Sequence, residues 1–323
     1  MKISFEAIEL ELAKTWKISR NSSDFKTNFI CQIEIDNKVF KGECAPNIRY
    51  GESLEVIRDW ITKLDKIQSI ENLEAFLKTH SISHSLENAV QNALLRYRAN
   101  DAGEGLSSFL NFPHAKKSYK TSFSFPIMEI DELAAYYEKN SQYEVYKVKI
   151  TDLKDLPFLK AIRKLTSAPI RIDANEGFSS KEDYLAFDKE ISNLNIEFVE
   201  QPFPAKEYAW YQEIKELVNI PLMADESIEK EVDYNVIKDC FHMVNIKLQK
   251  CGGIKEALRL IKGAREKDLK VMLGCMIETS LGIADALELA EIVDFLDLDG
   301  SLLLKRDPYS YIKLNNGLIK LNH

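Results

Sequence analysis

Ile170-Arg-Ile-Asp173-Ala-Asn175, Ile196-Glu-Phe-Val-Glu200-Gln-Pro202 and Pro221-Leu-Met-Ala-Asp225-Glu226 are three short apolar runs, each ending on a carboxylate. Asp173, Glu200 and Asp225 are 27 and 25 residues apart, about one strand-plus-helix unit per step. In a closed parallel barrel, consecutive strand ends lie side by side at one mouth, where this architecture keeps its chemistry. A single Asp or Glu after a strand is most often a helix N-cap. Three in register are not explained that way. With no His or Cys among them they form a hard oxygen site suited to Mg²⁺.

The same rhythm runs outward in both directions. From about residue 119, apolar runs end at Phe125, Ile150, Asp173, Glu200, Ala224, Lys247, Cys275 and Asp297. Amphipathic stretches lie between them, including Glu129 to Tyr137, Lys181 to Leu194 and Ile254 to Lys267. Eight strands alternating with helices predict an α/β fold, a TIM-type barrel spanning 119–304. Residues 1–118 read differently. Phe5, Ile8, Leu10 and Leu12, then Phe29 to Ile35, read as strands, and Asp36-Asn37 reads as a hairpin turn into Val39 to Cys44. From Ser53 onward the apolar spacing is helical, with Ser85 as the expected cap of the stretch containing Leu86, Ala89, Val90, Ala93 and Leu94. This is an α+β unit. Residues 305–323 lack the barrel rhythm and are expected to return to it.

Two lysine signals flank the acidic trio. Lys147 and Lys149 are two apart on one strand and share a face, while Val148 and Ile150 share the other. If the apolar pair packs outward, both lysines point into the barrel, where a charge needs partners; the alternative is a solvated edge strand. Lys247 shares a face with Asn245, and Lys250 nearby reads as an ordinary surface lysine. Near the end of the barrel, Asp294-Phe-Leu-Asp297-Leu-Asp299-Gly300 places Asp297 and Asp299 on one face, unless they serve a turn before the glycine.

Composition narrows the function classes. The 323 residues are 45% hydrophobic and 29% charged, an ordinary globular balance. A net charge of −8 with no concentrated basic tract argues against nucleic acid and anionic membrane surfaces as partners. No apolar window is long enough to span a bilayer, and charge breaks the N-terminal apolar run too early for a signal peptide. The five cysteines are scattered, with no zinc or redox spacing. The expected compartment is the cytoplasm. The sequence leaves open whether the chain forms a homo-oligomer.

These motifs resemble the enolase superfamily, and within it the muconate-lactonizing-enzyme subgroup. The resemblance covers nearly the whole chain and implies a (β/α)7β modified barrel with that α+β unit as its capping domain. It implies one Mg²⁺ per subunit on Asp173, Glu200 and Asp225, with Lys149 and Lys247 as catalytic lysines facing each other across the substrate. Lys147 would help neutralise the substrate carboxylate, and Asn175, Glu226 and Glu278 would lie in the supporting shell. The Asp297/Asp299 pair is similar to a motif of the dipeptide epimerases that binds a substrate ammonium. The implied activity is 1,1-proton transfer at the α-carbon of the C-terminal residue of a dipeptide, of the L-Ala-D/L-Glu type. Ser124, Cys275 and Ile277 would line the dipeptide. Arg20 either pairs with a side-chain carboxylate of the substrate or is a solvated loop arginine. Other readings stay open on the same fold: N-acylamino acid racemase, o-succinylbenzoate synthase, cycloisomerase, or a barrel that binds a small acid or protein without catalysis.

Overall fold

The structure, a computed structural model, describes residues 1–18, 21–115, 117–126 and 128–322, without the side chains of 15–18 and 21–23. Arg20 therefore lies outside the described residues. The chain opens with an antiparallel sheet of β1 (Lys2–Ile18), β2 (Asn21–Ile35) and β3 (Lys38–Cys44), in that order. Asp36 and Asn37 make the β2–β3 turn with φ of 51° and 62°, a left-handed pair that Asp and Asn tolerate. Helices α1 (Leu54–Leu64), α2 (Ile70–Thr79) and α3 (His84–Asp101) cover the sheet. Phe29, Cys31, Ile33 and Cys44 meet Ile57, Leu73, Leu86, Ala89 and Val90 in a separate apolar core. Gly42 lets α3 approach, since a Cβ there would sit 2.0 Å from the Ala89 carbonyl oxygen.

Ser85 is not the cap of α3. The cap position is Ser83, which makes no side-chain cap bond, and Ser85 lies buried inside the first turn. Its backbone N–H donates to Glu52 Oε1 at 2.9 Å instead. A buried carboxylate thus satisfies one of the orphan N–H groups of the helix start.

After a short α4 (Leu106–Phe109) and β4 (Tyr119–Lys120) comes an eight-stranded parallel sheet. Its strands are β5 (Phe123–Phe125), β6 (Tyr146–Lys149), β7 (Ile170–Asp173), β8 (Ile196–Glu200), β9 (Leu222–Ala224), β10 (Met243–Lys247), β11 (Lys270–Gly274) and β12 (Phe295–Asp297). They are barrel strands one to eight. The circle closes where Ser122 N–H donates to the Leu296 carbonyl at 3.2 Å and Leu298 N–H to Thr121 Oγ1 at 2.7 Å. Between strands lie α5 (Leu133–Lys139), α6 (Leu156–Leu165), α7 (Lys181–Ile191), α8 (Tyr208–Ile214), α9 (Tyr234–Cys240), α10 (Leu248–Cys251) with α11 (Ile254–Arg265), and α12 (Ser280–Leu287). Seven strand–helix units and a final strand make the (β/α)7β barrel. Helix α7 stops short of Leu194 because the chain turns at Asn195, φ 50°, and α11 stops short of Lys267 ahead of Asp268, φ 59°. Helix α5 starts later than its apolar spacing suggests, since a 3₁₀ turn occupies 130–132.

The last segment touches both parts of the fold. Leu304 bridges to Leu12, Lys305 pairs with Glu11 at 2.8 Å, and β13 (Ile312–Asn315) and β14 (Leu318–Leu321) form a hairpin on β4. No helix among the described residues is long and apolar enough to cross a membrane.

Strand periodicity divides the barrel interior into layers. Val148 and Ile150 face the helices, within the main apolar core. The inward set at the N-terminal end is apolar: Phe198, Met223, Met243, Met272 and Phe295 pack together. Arg171 seals this floor, its guanidinium 5.4 Å from the Phe198 ring centroid and 5.2 Å from that of Phe295. Two residues further along the same strands the inward positions become Asp173, Glu200, Asp225, Asn245 and Asp297. Apolar floor and charged mouth are one alternation read at successive levels.

Candidate active site

Adjacent strands hold the acidic trio in register. Asp173 pairs with Glu200 across β7–β8, and Glu200 with Met223, so Asp225 stands two residues higher, just past the end of β9. All three are almost fully buried. Lys147 Nζ lies 3.1 Å from Asp173 Oδ2, 3.0 Å from Glu200 Oε2 and 2.8 Å from Asp297 Oδ2. Lys149 Nζ is 3.3 Å from Asp173 Oδ2 and donates to Asn175 Oδ1. Lys247 Nζ is 2.8 Å from Asp225 Oδ2. β6 and β10 are four strands apart in a closed ring of eight, so Lys149 and Lys247 reach the acids from opposite walls.

The lysines do not behave as burial alone predicts. Burial lowers the pKa of Lys247, but Asp225 and Glu200 raise it further, and it ends well above the ordinary lysine value. Lys147 ends high for the same reason, with Asp173 the largest opposing charge. Glu200 shows the converse: burial carries its carboxyl up to about 8 despite Lys147. Asp173 is also penalised by burial, yet Lys147 and Lys149 hold it at about 2.

Among the described residues no three His, Cys, Asp or Glu side chains converge into a ready cation cage. Lysine ammonium groups sit among the carboxylates and supply the positive charge. The donor set nonetheless fits a hard divalent cation. It is all oxygen, it comes from three neighbouring strand ends, and buried Glu200 Oε2 receives no hydrogen bond, only the ionic contact with Lys147. Asn245 Nδ2 donates to Glu200 Oε1 at 2.6 Å. That contact needs Gly274 on the next strand, since a Cβ there would stand 2.4 Å from Asn245 Oδ1.

Sequence reasoning missed Lys250. It is no surface lysine: it is 2% exposed and its ammonium contacts both the backbone oxygen and Oδ1 of Asp225. The four-residue α10 folds back directly after strand six and turns Lys250 inward. Its i+3 spacing from Lys247 gave no sign of this.

The remaining predicted residues fall around the mouth. Asn175 joins Lys149 to Glu226, donating to Glu226 Oε1 at 3.3 Å. Asp297 accepts from Lys147 and Ser122, while Asp299 Oδ2 accepts the Ser124 N–H at 2.9 Å. Burial and the neighbouring Asp297 push the Asp299 carboxyl up to about 6. Cys275 Sγ lies 3.3 Å from the Asp297 carbonyl oxygen. Ile277 packs with Leu10, Leu12 and Leu304 between cap and barrel. Glu278 accepts from Gln249 and from the Met276 N–H, both at 2.8 Å, behind the strand-seven end.

Glu278 also gives a stability prediction. Burial, then the charge of nearby Glu43, pushes its carboxyl from 4.5 up to about 8; Asp285 adds to the rise, and Lys26 is the nearby cation. The folded state thus keeps this proton after the unfolded chain has lost it, so the residue's contribution to stability falls as pH rises from 4.5 towards 8. Glu278→Gln stays neutral throughout. Its Tm relative to the wild type should climb steadily between those limits in thermal melts, and a Tm difference independent of pH would contradict the assignment.

An eight-stranded barrel with buried carboxylates at its C-terminal mouth and lysines on opposite walls defines an enzyme that moves protons beside a carboxylate. Residues 129–306 match the family described as enolase C-terminal domain-like. Over 99% of its length the chain is 37% identical to the L-Ala-D/L-amino acid epimerase of Pedosphaera parvula, covering 95% of that protein. It superposes with a TM-score of 0.90, at 27% identity, on a substrate-liganded complex of the L-Ala-D/L-Glu epimerase from Bacillus subtilis, covering 100% of this chain and 96% of that one. A dipeptide epimerase from Cytophaga hutchinsonii, complexed with Mg and D-Ala-L-Val, superposes with a TM-score of 0.88 at 26% identity over 99% of this chain and 94% of that one. The chain belongs to the enolase superfamily.

Proposed function

We propose that this protein is a Mg²⁺-dependent dipeptide epimerase, acting by 1,1-proton transfer at the α-carbon of the C-terminal residue. The observation that carries this reading is the placement of Lys149 and Lys247 on opposite walls, each against an acid of the trio. A single base would suffice for a lyase or cycloisomerase; inverting a stereocentre needs one group on each face. Asp173, Glu200 and Asp225 would hold the Mg²⁺. When bound, the cation supplies fixed positive charge against the substrate carboxylate as a second negative charge develops there. Lys147, beside Asp173 and Glu200, adds to that charge. Lys149 removes the α-proton from one face and Lys247 returns one to the other, the roles exchanging for the opposite epimer. Each must be neutral when it acts as base. The carboxylates that now raise Lys247 would have their charge matched by a cation in the trio.

Asp297 and Asp299 take the substrate's N-terminal ammonium, which separates dipeptides from N-acylated amino acids. L-Ala-D/L-Glu is the first substrate to test, since two of the relatives above act on L-Ala dipeptides by name. We place the enzyme in the cytoplasm, on the strength of five scattered, unbridged cysteines.

The test is α-proton exchange in D₂O across a dipeptide library. Treatment with EDTA should abolish turnover, and added Mg²⁺ should restore it. Chelated enzyme that keeps the untreated rate would remove the metal from the reading. Faster turnover of N-acylated amino acids than of dipeptides would move the activity to an N-acylamino acid racemase.

A further inference from the structure

An ion pair joins the capping domain to the loop that carries Asn175, the partner of Lys149. A 3₁₀ turn, Ile48–Tyr50, hangs over the barrel mouth, capped by Asn47, whose Oδ1 accepts the Arg49 N–H at 3.0 Å. Arg49 Nη2 crosses to the barrel and meets Glu176 Oε1 at 2.6 Å. The same oxygen accepts the Ala205 N–H at 2.8 Å, from the loop after strand four. The Glu176 side chain is 3% exposed, although it belongs to a loop.

Asn175 and Glu176 are consecutive non-glycine residues at positive φ, 42° and 61°. L side chains rarely adopt this conformation, and a pair of them persists only where the surroundings fix it. Here Glu176 N–H donates to the Gln201 carbonyl at 2.8 Å, and its carboxylate is held from two sides. The outcome of that geometry is the direction of Asn175. Its Oδ1 accepts from Lys149 Nζ while its Nδ2 donates to Glu226.

We propose that Arg49 and Glu176 are positioning residues: seating the cap turn on Glu176 holds the strained 175–176 backbone and so aims Lys149, but not Lys247, at the substrate. This deepens the epimerase reading and rests on it. Lys247 stands on the opposite wall and is set by Asp225; the residue of the cap turn on its side is Tyr50, not Arg49.

The experiment compares deuterium exchange into the two epimers of one dipeptide by Mg²⁺-loaded enzyme, the epimer dependent on Lys149 being defined as the one that Lys149→Ala silences. Arg49→Met should slow that exchange by about 10-fold, the scale of a small misplacement of a reacting group. Exchange into the other epimer should stay near the wild-type rate, and so should the melting temperature of the metal-free protein. Arg49→Lys should recover part of the loss. Glu176→Gln keeps the acceptor for Ala205 and should give the same asymmetry, which preserves the test if Arg49→Met does not fold. Equal losses on both faces would mean that Arg49 binds substrate or merely supports the fold, and would overturn the proposal, as would no loss on either. Wild-type enzyme that exchanges neither epimer would overturn the epimerase reading itself, and this inference with it.

Discussion

Lys149→Ala is expected to lower epimerisation by at least ~10²–10⁴-fold, the usual cost of a lost acid–base group, and to leave deuterium exchange in only one epimer of the substrate. Lys247→Ala should lose exchange into the other epimer instead. The expectation follows from topology before chemistry. β6 and β10 face each other across the closed ring, so the two ammonium groups would meet a substrate bound at the trio from opposite sides. Each lysine is seated on its own side: Lys149 on Asp173 and Asn175, Lys247 on Asp225. Each mutant therefore keeps one working face. Measuring exchange by NMR in D₂O, separately from each pure epimer, checks it. If either single mutant exchanges both epimers at wild-type rates, the two-base scheme is wrong.

The parts of this site legible in the sequence are those that one strand can state by itself. Alternation along β6 places Lys147 and Lys149 together and against Val148, and the structure turns that face inward. Strand ends carrying Asp173, Glu200 and Asp225 come together because parallel neighbours end at one mouth. What stayed illegible depends on contacts between elements. Lys250 reads as a surface residue until the short α10 folds it onto Asp225. Ser85 reads as a cap until Glu52, thirty-three residues earlier, supplies the acceptor its N–H needs. The upward shift of Lys247 is illegible for a related reason: burial is visible as a pattern, but the carboxylates that outweigh it come from other strands. Arg49–Glu176 joins residues 127 apart, beyond any local rule.

Asp299→Asn should cut kcat/KM for free dipeptides by ~30-fold to several thousand-fold, corresponding to the ~2–5 kcal/mol typical for losing one partner of a desolvated charge pair. A substrate ammonium entering the barrel mouth leaves water, and unpaired it would be costly there. The two acids are not equivalent. Asp297 already accepts from Lys147 at 2.8 Å and from Ser122, so Asp297→Asn also strips Lys147 of a partner and confounds ammonium binding with the charge balance of the trio. Among the described residues Asp299 takes its hydrogen bonds from Ser124 alone, the N–H at 2.9 Å, and asparagine can still accept them. Asp299→Asn is therefore the cleaner probe: it removes a charge, keeps the shape, and should leave Mg²⁺ affinity unchanged by calorimetry. The loss should fall on substrates with a free N-terminus. N-acetylated dipeptides, which should be poor substrates of the wild type as well, should lose little more, because they bring no ammonium to be paired. A variant that lost equal factors on free and acetylated substrates would show that Asp299 serves the backbone of strand one and not the substrate.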